Sequence, residues 1–164
     1  MSSLRTRLAT ATDAAAITTI YNEGIADRVA TFETEARTPA QIAQQLADKG
    51  DRFPIAVVEW DGQVVAYAGA GPYRSRPAYA GVAEHSVYVA RAARGTGAGR
   101  AALDALCQAY AERGFWKIVS RIFPENTASL RLHERCGFRV VGVYQRHGQL
   151  DGVWRDCVIV ERLL

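Results

Sequence analysis

Cysteine is scarce in this chain, three in 164 residues, and Cys107, Cys136 and Cys157 stand far apart with no CxxC among them. That spacing excludes a disulfide framework, argues against a metal site and suits a reducing, cytoplasmic compartment. Long apolar runs are missing too. No stretch approaches the roughly 18 residues that cross a bilayer, and the Ala-Thr-Ala-Thr-Asp after Arg5 and Arg7 is no signal-peptide core. Neither charge sign dominates: 20 Lys plus Arg against 17 Asp plus Glu leave +3, too little for a nucleic-acid footprint. Repeats, low-complexity tracts and linkers longer than a loop are also absent. What remains is 49% hydrophobic and 23% charged, the composition of a soluble globular chain, expected to form a single domain over residues 1–164.

The pattern predicts a mixed order of elements. A strand near Leu4 to Ala9 leads through Thr12-Asp13, a cap pair, to a helix with Ile17, Ile20, Tyr21 and Ile25 on one face. Thr38-Pro39 opens a second helix ending at Lys49-Gly50. Pro54 to Trp60 and Gln63 to Gly71 flank Asp61-Gly62 as a β-hairpin. A proline-punctuated loop, Gly71 to Tyr79, precedes a strand at Val82 to Val89. Then come a glycine loop and a helix ending near Gly114, a strand from Lys117 to Phe123, and a short helix that stops at Gly137. Val140 to Tyr144 and Val153 to Val160, joined through His147 to Gly152, make a last antiparallel pair. The class is α/β or α+β.

Three glycines in five residues, Gly95, Gly97 and Gly99, sit between a strand and a helix, where backbone N–H groups converge on an anion. A diphosphate suits the site, with Arg94 and Arg100 flanking it. A P-loop is excluded because no Lys-Ser or Lys-Thr occurs in the chain. A dinucleotide fingerprint lacks its acidic residue, since Lys117 to Arg121 holds none. The pattern [RQ]xxGx[GA] is met by Arg94, Gly97 and Gly99.

With Asn126-Thr-Ala-Ser129 and Cys136-Gly137-Phe138 further along, this resembles the acetyl-CoA loop and following helix of the GNAT family of N-acetyltransferases. Glu84-His85-Ser86-Val87-Tyr88-Val89, Arg74-Ser75-Arg76-x-x-Tyr79, Tyr21-Asn22, Thr31-Phe32-Glu33-Thr34 and Gly152-x-Trp154-x-Asp156 look like one branch of it. That branch acetylates phosphinothricin, arsinothricin, and methionine sulfoximine or sulfone. The resemblance implies a GNAT fold, a mixed, mostly antiparallel sheet flanked by helices, and acetyl-CoA as cosubstrate without a metal. It further implies that Val87, Tyr88 and Val89 offer backbone groups to pantetheine, that Gly95, Thr96, Gly97, Ala98, Gly99 and Arg100 wrap the pyrophosphate, and that Asn126 touches the cofactor. Asn126 is equally a helix cap. A homodimer and a small amino-acid substrate follow from the same likeness, with no nucleic acid or membrane partner.

Acetyl transfer needs a neutral amine, so a base must take a proton from an α-ammonium. Glu84, at the start of the strand leading to the glycine loop, is the candidate, against the plainer reading of a solvated strand glutamate. His133 stands where many members of the family carry a tyrosine that protonates the departing thiolate, and a histidine titrates near neutrality. Two guanidinium groups at Arg74 and Arg76 suit an acceptor with two anionic ends, although arginines in a solvated loop are ordinary. Ser75, Tyr79, Phe32, His85 and Ser86 complete the expected acceptor wall, with Glu33 held more loosely; side-chain alternation turns either Glu84 or His85 away from it. His147, Trp154 and Asp156 receive no chemistry. Competing readings keep the cofactor and change the acceptor to a protein N-terminus or a polyamine, or remove turnover and leave a CoA-binding sensor.

Overall fold

The computed structural model describes residues 3–164. Eleven main elements follow one another: β1 (Leu4–Leu8), α1 (Ala14–Asp27), α2 (Pro39–Lys49), β2 (Ala56–Trp60), β3 (Gln63–Pro72), β4 (Val82–Val89), α3 (Ala98–Glu112), β5 (Lys117–Ile122), α4 (Thr127–Arg135), β6 (Arg139–Leu150) and β7 (Val153–Leu163). They build one seven-stranded sheet in the order β1-β2-β3-β4-β5-β7-β6, antiparallel throughout except for β4 beside β5. This is the expected mixed, mostly antiparallel sheet.

Strand alternation divides the core into two layers. Ala56, Val58, Ala66 and Ala68 face α3, whose Leu103, Leu106 and Tyr110 cover them. Val57 and Tyr67, the intervening residues, face the other way and pack with Ile17 and Ile20 of α1 and Ile42 of α2. Local chemistry places the helices. The Thr38 hydroxyl accepts from the Gln41 amide while the Gln41 side chain accepts from the Thr38 amide, and Pro39 occupies the first turn. At α1 Asp13 holds the N-cap position, but its carboxylate does not bond into the helix: it is buried, accepting from the Thr10 amide and from Arg7. Asp61 and Gly62 both carry positive φ, 51° and 78°, as the hairpin turn requires.

The final hairpin is longer than its hydrophobicity predicts. Rather than stopping at Tyr144, β6 runs to Leu150, and the turn is Asp151-Gly152 at φ 52° and 76°. Its register slips between Tyr144 and Gly148, so the polar residues 145–149 ride a bulged edge instead of a loop.

Candidate active site

The parallel pair β4 and β5 is joined over only three register positions, Val82 with Lys117, Ala83 with Ile118 and Glu84 with Val119. Beyond Glu84 the strands part. On its other side β4 stays paired with β3 as far as Val89, so Ser86 to Val89 have a strand on one side only. The gap begins with a side chain in place of a backbone partner: buried Ser120 donates its hydroxyl to the His85 carbonyl at 2.9 Å. A cavity opens from this point, lined by Ser86, Val87, Tyr88, Phe123, Asn126 and His133 among others. A larger hollow of about 450 Å³ lies elsewhere, around Arg7, Asp13 and Thr19. Arg7 is already bonded there to Asp13 and Glu59.

At the far end of β4 the glycine loop forms through two different demands. Gly95 and Gly97 hold φ of 77° and 89°, the left-handed region that side chains resist. Gly99 instead meets its neighbours: a Cβ there would lie 3.2 Å from both Leu132 of α4 and Val89 of β4. Gly97 caps α3 without a side-chain acceptor, and the first helical bond runs from the Ala101 amide to the Gly97 carbonyl. The amides of Ala98, Gly99 and Arg100 are thus the free donors of the first turn. The pattern of bare strand edge, left-handed glycines and open helix N-terminus fits a pantetheine chain followed by a pyrophosphate. The flanking arginines are already engaged. Arg94 reaches Asp27 at 2.7 Å, alongside Arg91, and Arg100 lies 3.7 Å from Asp104. Arg91 and then Arg94 hold the Asp27 carboxyl below its ordinary range. The glycine loop is therefore tethered to the end of α1.

Asn126 serves both as a cap and as part of the cavity wall. Its Oδ1 accepts from the Ser129 amide as the cap of α4, and the residue also lines the cavity. His133 is 1% exposed. Its Nδ1 bonds the Ser129 carbonyl at 2.7 Å, which makes Nδ1 the protonated nitrogen, and Nε2 lies 2.9 Å from Nε2 of His85. Burial keeps both rings neutral, and with Nδ1 of His133 protonated the donor of the pair is then His85. Burial pushes His85 down to about 3, with His133 adding to the shift, and lowers His133 as well. His85 faces α4, on the side of the sheet opposite to Glu84 and Ser86, and both ring nitrogens of His133 are engaged. The pair pins α4 to β4 beside the gap.

Glu84, Ser86 and Tyr88 share the opposite face, on the side of α1 and α2. The Arg121 guanidinium meets Glu84 Oε1 through Nε and Nη2, both at 2.8 Å. Tyr88 packs edge-on against Tyr21 and stacks on Tyr67. Phe32 lies edge-on to Phe123 at 4.8 Å, and its ring also lies so close to Gly148 that a Cβ there would clash. The segment between α1 and α2 is held over this face by Asn22, whose amide donates to the Arg37 carbonyl and accepts from the Arg37 amide. Glu33, on that segment, is exposed and pairs with Arg37.

The loop carrying Arg74, Ser75, Arg76 and Tyr79 is exposed and begins beside the first residues of β4, where the Tyr73 amide bonds the Val82 carbonyl. Glu84 is two residues further along, about 7 Å. Arg74 stacks over the Tyr73 ring at 4.2 Å and bonds the Tyr73 carbonyl, and Tyr79 packs edge-on to Tyr73. Neither arginine touches Glu84. Arg121 and Ser120, which no sequence motif marks, are the residues that do bear on the gap and on Glu84. Burial pushes Cys107 and Cys136 up to about 11, which leaves both thiols inert. Among the described residues no cluster could hold a metal.

Comparison with known proteins agrees with this geometry. Residues 17–138 match the Acetyltransferase (GNAT) family. The chain is 35% identical to a phosphinothricin N-acetyltransferase of Streptomyces viridochromogenes over 92% of its own length and 82% of the relative's. It is also 35% identical to an L-methionine sulfoximine/L-methionine sulfone acetyltransferase of Salmonella typhimurium, covering 94% and 91%. Two solved structures superpose closely. One is a ribosomal-protein-alanine N-acetyltransferase from Brucella melitensis, with TM-score 0.93, 35% identity, and 98% and 99% coverage. The other is a phosphinothricin acetyltransferase from Sinorhizobium meliloti in complex with acetyl-CoA, with TM-score 0.91, 32% identity, and 98% and 88% coverage. A chain matched over this span, with its sheet parted beside a glycine loop, belongs to the GNAT family of acetyltransferases.

Proposed function

We propose that the protein transfers an acetyl group from acetyl-CoA to the α-amino group of a free amino acid whose side chain ends in an anionic or strongly polar group. Phosphinothricin, arsinothricin, and methionine sulfoximine or sulfone are the acceptors in view, and the activity is a detoxification. One observation carries the reading: β4 and β5 separate at Glu84, so a carboxylate stands at the mouth of a gap whose floor is bare strand edge. The names of the Streptomyces and Salmonella relatives support the acceptor class, and the Sinorhizobium complex supports the cosubstrate.

Acetyl-CoA supplies an activated acyl carbon. Val87 to Val89 hold its pantetheine through their unpaired backbone groups. The amides from Gly95 to Arg100 hold its pyrophosphate, and Asn126 lines the channel between. Glu84 takes one proton of the α-ammonium, directly or through one water, and leaves a neutral amine to attack the thioester carbonyl; the C–N bond forms as the C–S bond breaks, CoA departs as the thiolate, and the second nitrogen proton passes through water to that thiolate. With both nitrogens of His133 engaged, that residue positions α4 and moves no proton. Arg74 and Arg76 bind the anionic end of the side chain. Two copies of the chain pair through the exposed apolar residues of β6 and β7, and the protein works in the cytoplasm. The Brucella structure favours a second reading, acetylation of a protein N-terminus.

The test is release of CoA thiol from acetyl-CoA with phosphinothricin, arsinothricin, methionine sulfoximine, methionine sulfone, spermidine and an N-terminal peptide. Turnover on the amino acids supports the reading. Turnover on the peptide or spermidine alone overturns the acceptor, and acetyl-CoA binding without any turnover points to a sensor.

A further inference from the structure

Arg121 is the one formally charged residue among those lining the cavity, since His133 is neutral. It stands on β5, two positions beyond Val119, the register partner of Glu84, so it faces the same side of the sheet as Glu84 and Ser86. Both contacting nitrogens of its guanidinium converge on one oxygen, Oε1. Oε2 accepts no bond from the described residues. The Arg121 side chain is 51% exposed and that of Glu84 25%. Burial does not lock such a pair, and exposed pairs of this kind contribute about 0 to 1 kcal/mol. It opens at little cost.

We propose that Glu84 and Arg121 together read the α-centre of the acceptor, Glu84 taking the α-ammonium and Arg121 the α-carboxylate. A free amino acid carries opposite charges on one carbon, and the protein presents the complementary charges one hydrogen bond apart. Laid head to tail against the pair, the acceptor alternates the four charges. A guanidinium holds a carboxylate by two parallel bonds, stronger than its present single-oxygen contact. Arg121 is drawn off Oε1 as it takes the substrate, which frees the Glu84 carboxylate for the ammonium proton. Arg74 and Arg76 are then left for the far end of the acceptor. The assignment rests on the amino-acid acetyltransferase reading and adds to it a reason for rejecting other amines. A peptide N-terminus or a polyamine has no carboxylate on the carbon that bears its amine, so it leaves Arg121 unmatched.

The experiment compares kcat and KM for methionine sulfone and for its α-carboxamide, in the wild type, Arg121→Gln and Arg121→Lys, with Tm measured for each. The wild type is expected to favour the free acid. In Arg121→Gln the KM for the acid rises about 10- to 100-fold while the carboxamide stays within about threefold, so the preference collapses. Arg121→Lys, which keeps the charge without the fork, falls between. A variant that turns over both acceptors as the wild type does, or loses both alike, overturns the role of Arg121 and leaves the acceptor class standing. A wild type that acetylates a peptide and neither methionine compound overturns the acceptor class, and this assignment with it.

Discussion

Glu84 is the residue on which the proposed chemistry turns. Glu84→Gln keeps the shape and removes the base, so kcat should fall about 10²- to 10⁴-fold. The dissociation constant for acetyl-CoA and the Tm should stay close to wild type, because the proposed reading sets the carboxylate against the acceptor rather than the cosubstrate and its ion pair is partly exposed. Calorimetric titration with acetyl-CoA beside a steady-state assay separates the two effects; equal loss of binding and turnover would make Glu84 a structural residue. His85 governs a different property. Its ring is buried neutral, with its pKa pushed down to about 3, so an unfolded chain binds a proton near pH 6.5 that the folded chain refuses. Stability from this group is complete above about pH 6.5 and is lost as pH falls toward 3, by up to about 1.4 kcal/mol per pH unit. His85→Gln keeps an N–H for His133 without a titrating ring. Urea unfolding at pH 7 and pH 5 should show the wild type losing about 1–2 kcal/mol more than the variant over that interval, and parallel losses would count against the buried neutral pair. At this scale the sequence made legible the residues whose type sets local geometry, such as the left-handed Gly95 and Gly97. Arg121, Ser120 and the His85–His133 bond were hidden, because each depends on which residues of separate elements come opposite one another, 35 to 48 positions apart.

At the level of elements, the junction of β4, α3 and α4 is held by the absence of a side chain. Gly99→Ala places a methyl 3.2 Å from the side chains of Leu132 and Val89, which must give by a few tenths of an ångström. The expected cost is about 1–3 kcal/mol, with weaker acetyl-CoA binding on the proposal that the first amides of α3 hold the pyrophosphate. Thermal melts with and without acetyl-CoA check it; a variant with unchanged Tm and unchanged ligand-induced shift would mean that the packing is slack. The helices were legible from caps, first-turn proline and terminal glycine, all local signals. The length of β6 was not, since polar residues 145–149 break the apolar pattern, and only pairing with β7 keeps them in the sheet. The Asp151-Gly152 turn is the signal that marks the true hairpin end.

The molecule as a whole ends its sheet on a long, apolar edge. Val140, Val143 and Tyr144 on β6 and Val153 and Trp154 on β7 are each more than half exposed, a surface that natural edges avoid unless it is covered. Sedimentation equilibrium is expected to give twice the 17.9 kDa chain mass, and Val143→Glu with Trp154→Glu to give a monomer at micromolar concentration. A wild type that sediments as a monomer would refute pairing through this edge.

The brevity of the β4–β5 ladder has a mechanical meaning. Three register pairs, the Ser120 hydroxyl and the Glu84–Arg121 ion pair join a four-stranded plate to a three-stranded plate, and the His85–His133 bridge ties α4 to β4 beside them. On the proposed reading, a cosubstrate laid along the bare edge of β4 stands in for a missing length of strand and rivets the two plates. Ligand at 100 times its dissociation constant adds about 2.7 kcal/mol to the folded state. Much of that gain should appear as slowed amide exchange along the seam, in Val87 to Val89 and Ser120 to Ile122, while the distant β1–β2 edge exchanges as before.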